Sequence, residues 1–261
     1  MSTPTDGGEI RPASTLLLLR DEPSFEVLMV ERHHQIDFAS GALVFPGGKS
    51  HPGDHEDAWG DHVSGWAAHD GEQRGLRIAA IREVFEEAGL LLATRRDGGP
   101  LEVEPAPLAL RQSVDRGETP FLDVVRAADA RLDLSALTVF ARWITPPVTP
   151  KRFDTWFYAA HAPAGQLAVC DGRETVDACW LSPQAALEAG ARGERKLVFP
   201  TRMNLGRLAN SASAAATIAA AQARPLVAVQ PEIHRGPEGT WLVLPESAGY
   251  GAVREPFVPG M

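Results

Sequence analysis

Two short apolar runs open the chain, Leu16–Leu19 and Phe25–Val30, separated by the polar turn Asp21-Glu22-Pro23-Ser24. This pattern predicts a β-hairpin within residues 13–32. Ala39–Phe45 reads as a short buried strand that stops at Pro46-Gly47-Gly48. The spacing then changes from strand to helix. At about 100° per residue from Ile81, the side chains of Val84, Phe85 and Ala88 share one side, while Glu83, Glu86 and Glu87 gather opposite. Gly89 is the expected C-cap of that helix. Residues 105–135 read as helical, broken near Gly117 and Pro120, with Leu108, Val114, Phe121, Val124, Val125 and Leu132 as buried candidates. Val139–Ile144, Thr155–Ala160 and Ala178–Leu181 read as strands. The Ala-rich stretch Asn204–Ala223 predicts one helix ended by Pro225. Leu226–Val229 and Thr240–Leu244 are expected to pair as a closing hairpin. Strands mixed with helices, without an internal repeat, imply an α/β fold with its sheet covered on both faces.

The Glu83, Glu86 and Glu87 cluster is what an isolated helix avoids, because like charges at i, i+3 and i+4 repel by a few tenths of a kcal/mol per pair. A cation offsets that repulsion when the carboxylates are held together. Oxygen donors converging from one rigid element suit Mg²⁺ or Mn²⁺. Gly47 and Gly48, beside the preceding strand, allow main chain to approach a ligand closely.

Gly48, five residues, Asp54, a gap, then Arg82-Glu83-Val84-Phe85-Glu86-Glu87-Ala88-Gly89-Leu90 resembles the Nudix hydrolase signature G-x5-E-x7-R-E-U-x-E-E-x-G-U. Asp54 stands where the pattern has Glu, and 27 residues separate it from Arg82 where the pattern has seven. An enlarged box resembles the subfamily containing the mammalian peroxisomal coenzyme A diphosphatase. Gly41–Gly48, Arg152-Phe153-Asp154-Thr155 and Trp180-Leu181-Ser182-Pro183 add to that likeness, which covers roughly residues 12–200. The resemblance implies an α/β/α sandwich with a mixed sheet, plus helical insertions and a C-terminal extension. Both the i, i+4 spacing and the resemblance favour Glu83 and Glu87 as metal ligands. Glu86 is a third or water-mediated ligand, or a general base, and the Gly47 carbonyl is a ligand implied by the resemblance. Arg82 is expected to pair with a neighbouring carboxylate and fix its rotamer. Glu174, in the loop Asp171-Gly172-Arg173-Glu174, resembles the late glutamate that serves relatives as base; Asp177 is the weaker alternative. Arg32, Lys49 and Arg152 are the candidate substrate-binding cations, with Lys151 beside them.

The insert raises a separate possibility. His55, His62 and His69 recur every seven residues and would share a helical face able to bind zinc, although solvated histidines are the simpler reading and Gly60 and Gly65 weaken such a helix. Trp59, Val63 and Trp66 have the spacing of a packing face.

Charge and composition narrow the function. A net charge of −9 disfavours bulk nucleic-acid binding. No apolar run approaches a membrane span. Two cysteines, Cys170 and Cys179, fit a reducing compartment, and the ending Pro259-Gly260-Met261 is not a peroxisomal address, so the expectation is cytoplasmic. The expected organisation is a flexible tail over 1–9, a Nudix domain over 10–200 with insertions at about 55–74 and 105–135, and a helix-and-hairpin extension over 201–261. The expected activity is divalent-metal-dependent hydrolysis of a nucleoside diphosphate linked to another moiety, with coenzyme A or an acyl-coenzyme A as leading substrate. A coenzyme A motif found upstream of the glycines in other Nudix enzymes is not visible between Val30 and Phe45. Nucleotide sugars, NADH and ADP-ribose are the alternatives, a non-catalytic ligand-binding module is the reading of another class, and a homodimer is compatible with all of them.

Overall fold

The computed structural model describes residues 9–35, 39–102, 105–149 and 151–257. The expected tail, apart from Glu9, and the ending Pro259-Gly260-Met261 lie outside them. The hairpin forms as expected: β1 (Ile10–Arg20) turns into β2 (Glu26–Arg32), with Leu19 opposite Val27. The strand expected over Ala39–Phe45 is reduced to β3 (Leu43–Val44), because Ala39 and Gly41 adopt positive φ. The glycine bend itself is a strand, β4 (Gly47–Lys49), paired with β1. Three short 3₁₀ turns and β5 (Val63–Ser64) make up most of the insert. The carboxylate helix, α1 (Gly71–Ala88), starts at Asp70, whose side chain accepts from the Gln73 amide, and ends at Gly89 in left-handed conformation.

Beyond it, β6 (Ala93–Arg95) precedes three short helices, α2 (Pro105–Ala109), α3 (Arg111–Asp115) and α4 (Phe121–Ala127). Val114, Phe121, Val124, Val125 and Leu132 are buried as expected, Leu132 in a strand, β7 (Ala130–Asp133), but Leu108 is 37% exposed. β8 (Thr138–Ile144), β9 (Arg152–His161) and β10 (Thr175–Leu181) follow the expected strands. After α5 (Pro183–Ala191), the single Ala-rich helix proves to be two, α6 (Phe199–Leu208) and α7 (Ala214–Ala223). Ser213 caps α7 by accepting from the Ala216 amide, so high helix propensity did not carry through the polar break at Asn210-Ser211. The expected closing hairpin does not form. β11 (Ala228–Val229) joins the main sheet beside β8, and β12 (Glu232–Gly236), β13 (Gly239–Val243) and β14 (Arg254–Pro256) make a small sheet of their own.

The main sheet runs β10-β2-β1-β9-β8-β11, with β3 and β4 attached to β2 and β1. It is mixed, since β1 pairs with β9 in parallel and with β2 and β4 antiparallel. Leu16 and Leu18 join one core with α1, while Leu17 and Leu19 join another with α6 and α7. The uninterrupted leucine run is therefore the signature of a strand covered on both faces.

The insert is anchored rather than loose. Trp59 is 1% exposed, its ring centroid 5.7 Å from that of Phe121, and its indole donates to the Gly53 carbonyl at 2.9 Å. The three histidines do not converge. His55 lies over Gly75, His62 sits between Arg96 and Arg126, and 3₁₀ turns replace the helix that would have aligned them. We expect Trp59→Ala to destabilise the fold by about 3–5 kcal/mol, read as a lower urea midpoint at unchanged slope. A loss below about 1 kcal/mol would contradict the anchoring role.

Candidate active site

The last two turns of α1 lie beneath the ends of β2 and β4 and the loop before β10. The side of α1 expected to face away from the core is buried: Glu83 and Glu86 are 7% exposed and Glu87 2%. Three groups fix the helix end. Arg111 Nε donates to the Glu86 carbonyl at 2.7 Å, the Val169 amide donates to that of Ala88 at 2.9 Å, and Thr175 Oγ1 lies 3.0 Å from that of Glu87. These contacts satisfy carbonyls that any helix end leaves open.

Arg82 organises the carboxylates. Its Nε and Nη2 grip Asp54 at 2.9 and 3.2 Å, and Nη2 also donates to the Lys49 carbonyl at 2.8 Å. Nη1 reaches Glu83 at 3.0 Å and both oxygens of Glu86 at 2.9–3.0 Å. Glu87 turns the other way, accepting from the Gly47 amide at 3.0 Å and lying 3.4 Å from Arg32 Nη1. The glycines are required by space. A Cβ on Gly48 would stand 2.6 Å from both Glu83 carboxylate oxygens, and one on Gly47 would strike the Ser14 carbonyl at 2.5 Å.

Four buried carboxylates are thus served by the guanidiniums of Arg82 and Arg32. Burial first, then the Glu83 charge, push the Glu86 carboxyl up to about 8. Burial also raises Glu83 and Glu87, with Glu174 adding repulsion at each and Arg82 and Arg32 opposing the rise. Glu174 therefore faces the box electrostatically. Its carboxylate takes no hydrogen bond or ion pair among the described residues, while its main chain is held by His33 and Asp171. Asp177 pairs instead with Arg195 at 3.3 Å. Lys49 contributes its carbonyl, and its side chain is exposed. Arg152 is not brought to the box: its Nε donates to the Thr145 carbonyl at 3.1 Å, closing the β8–β9 turn. Arg111, Asp171 and Thr175 carried no sequence signal, since only the fold brings them to the helix end.

Among the described residues, no three His, Cys, Asp or Glu side chains stand arranged as a metal cage. Arg82 draws Asp54, Glu83 and Glu86 onto one guanidinium instead, while Arg32 and the Gly47 amide hold Glu87. The donor set nevertheless fits a hard cation: acidic oxygens one helical turn apart, packed on a glycine with no room for a Cβ, and in excess of their ion-pair partners.

Residues 66–208, more than half of the chain, match the family model described as the NUDT19 Nudix domain. The chain belongs to the Nudix hydrolase family. Its curated relatives include acyl-coenzyme A diphosphatase NUDT19 of Homo sapiens, 29% identical, with 79% of this chain and 67% of the relative covered. The Gallus gallus protein of the same name is 28% identical, covering 72% and 62%, and that of Xenopus laevis 26% identical, covering 63% and 54%. The chain thus spans little more than half to two thirds of these relatives' length. A Nudix hydrolase from Alicyclobacillus acidocaldarius superposes with a TM-score of 0.71 at 28% identity, covering 81% of this chain and 96% of that one. The α/β Nudix fold is therefore present here, with the box helix as α1.

The raised Glu86 carboxyl has a consequence for stability. The ordinary glutamate value is 4.5, which holds in the unfolded chain, and burial pushes the folded-state value up to about 8. The folded state binds more protons between those values, so this contribution is full below pH 4.5 and is lost as pH rises to 8. In chelated protein we expect the wild type to lose on the order of 2 kcal/mol more than Glu86→Gln between pH 5 and pH 8, measured by urea denaturation. His51, His62 and His69, whose pKa values burial lowers, contribute with opposite sign in both proteins and cancel in the difference. Parallel pH profiles would show that Glu86 is not under this strain.

Proposed function

We propose that the chain is a divalent-cation-dependent diphosphatase acting on a nucleoside diphosphate linked to a second moiety, with coenzyme A or an acyl-coenzyme A as that substrate. The observation that carries the reaction is the group of buried, mutually repelling carboxylates closed against the Gly47–Gly48 bend. The substrate rests on the likeness to relatives named acyl-coenzyme A diphosphatase.

Glu83 and Glu87 would hold the cation, Mg²⁺ or Mn²⁺, with Glu86 beside them. When bound, it supplies neutralising charge for the diphosphate oxygens and makes water acidic enough to lose a proton near neutral pH. Arg82 keeps Glu83 and Glu86 in place through its fork, so their orientation is set before substrate arrives. Arg32 is 15% exposed at its side chain and has a buried Nε without a partner among the described residues, which suits it to donate to a diphosphate oxygen. Glu174, whose charge acts on Glu83 and Glu87 and whose carboxylate has no partner among the described residues, is the residue suited to accept the proton of the attacking water. Gly47 serves here through its amide, which holds Glu87.

Glu87→Gln is expected to lower kcat by at least about a hundredfold with the fold retained. Mass spectrometry of products formed from a diphosphate library in ¹⁸O-labelled water, with Mg²⁺ and with Mn²⁺, reads both substrate and attacked phosphorus. Cleavage of coenzyme A derivatives is the expected result. Near-wild-type turnover by folded Glu87→Gln would overturn the site, whereas preference for nucleotide sugars, NADH or ADP-ribose would overturn only the substrate.

A further inference from the structure

A second cationic site lies on the other side of the sheet. Where β8 meets α6, α7 and the segment leading to β11, a cavity of about 290 Å³ is lined by Phe140, Ala141, Arg207, Gln222, Arg224 and Leu226, among others. None of its lining residues is acidic. β8 is three strands from β2 in the main sheet, roughly 14 Å at the usual spacing, and α6 and α7 pack on the face opposite α1.

Arg207 and Arg224 share the ring of Phe140, their Cζ atoms 6.0 and 5.5 Å from its centroid. Arg207 also lies 3.6 Å over Tyr250. Each makes main-chain contacts through one nitrogen: Arg207 Nη2 to the carbonyls of Ala248 at 2.8 Å and Gly249 at 3.2 Å, and Arg224 Nη2 to that of Phe140 at 2.7 Å. Among the described residues, the other nitrogens donate to no acceptor and neither guanidinium forms an ion pair. Burial lowers the pKa of Arg207, the neighbouring Tyr250 opposes that shift, and the Arg224 charge adds to it, so Arg207 sits in the field of Arg224. A structural role explains the nitrogens in use. It does not explain two half-buried cations side by side without an acid in a chain of net charge −9.

Two adjacent guanidiniums present a fixed array of N–H donors and a double positive charge, which matches a tetrahedral dianion better than a single carboxylate. The volume exceeds what one phosphate group fills, and Phe140, Pro225 and Leu226 provide an apolar wall for the rest of a ligand. We propose that this cavity binds a phosphoryl-bearing small molecule, independently of the Nudix box.

The test is calorimetric titration of inorganic phosphate into the full chain with EDTA present and ionic strength held constant. Wild type is expected to show one saturable site. Arg224→Gln removes a cation, and Gln222→Glu, at an exposed position, gives the guanidiniums an internal carboxylate; each is expected to weaken binding at least about tenfold. Arg32→Gln, at the box, is expected to bind phosphate as wild type does. Absence of saturable binding to wild type, undiminished affinity in folded Gln222→Glu, or loss of binding in Arg32→Gln would each overturn the proposal.

Discussion

The fork made by Arg82 is the interaction on which the site depends. One guanidinium contacts Asp54, Glu83, Glu86 and the Lys49 carbonyl, and so ties insert, glycine bend and helix to one point. Removing a partner from such a buried group leaves uncompensated charge, at a cost of about 3–5 kcal/mol. The arrangement is held in place by the fold around it. α1 is buried along its length from Gly75 to Ala88, its final carbonyls are occupied, and β1 presses β4 against it. Rigid scaffolding of this kind lets a protein keep repelling carboxylates together.

The same fork explains how the box survives its enlargement. Asp54 lies at the start of the insert, where it accepts from the His51 amide at 2.7 Å and meets Arg82. After it the chain departs, packs Trp59 against Phe121, and returns to begin α1 at Gly71. Lengthening a connection costs little entropy when its ends stay fixed, and here both ends are fixed. The insert thereby packs with α4 and β7 in the core beside α1.

What could be read from sequence followed from local rules. The hairpin, the helix ending at Gly89 and the strands β8, β9 and β10 each carried their own periodicity or cap. The failures arose where tertiary context overrode those rules. The acidic side of α1 was legible as a carboxylate cluster, but its burial was not, because pattern cannot show that β4 and the loop before β10 cover it. Histidines at seven-residue spacing implied alignment only if the insert were helical, and it is built of 3₁₀ turns. Ala-rich composition concealed the break before Ser213. Residues such as Arg111 and Thr175 could not be singled out, because their importance lies in carbonyls of a helix that sequence separates from them. Arg152 illustrates the converse: a motif position whose side chain closes the loop between β8 and β9, away from the box.

Charge distribution links these observations. The box gathers acids beneath two arginines, and the opposite face gathers two arginines without acids. The first imbalance is the central claim, since it predicts that a divalent cation completes the site. The most direct measurement is anomalous diffraction from crystals soaked in Mn²⁺. A peak is expected beside the carboxylates of Glu83 and Glu87, and it disappears in Glu83→Gln crystals. A fully soaked, accessible site with no peak there, or a peak unaffected by the substitution, would contradict that claim.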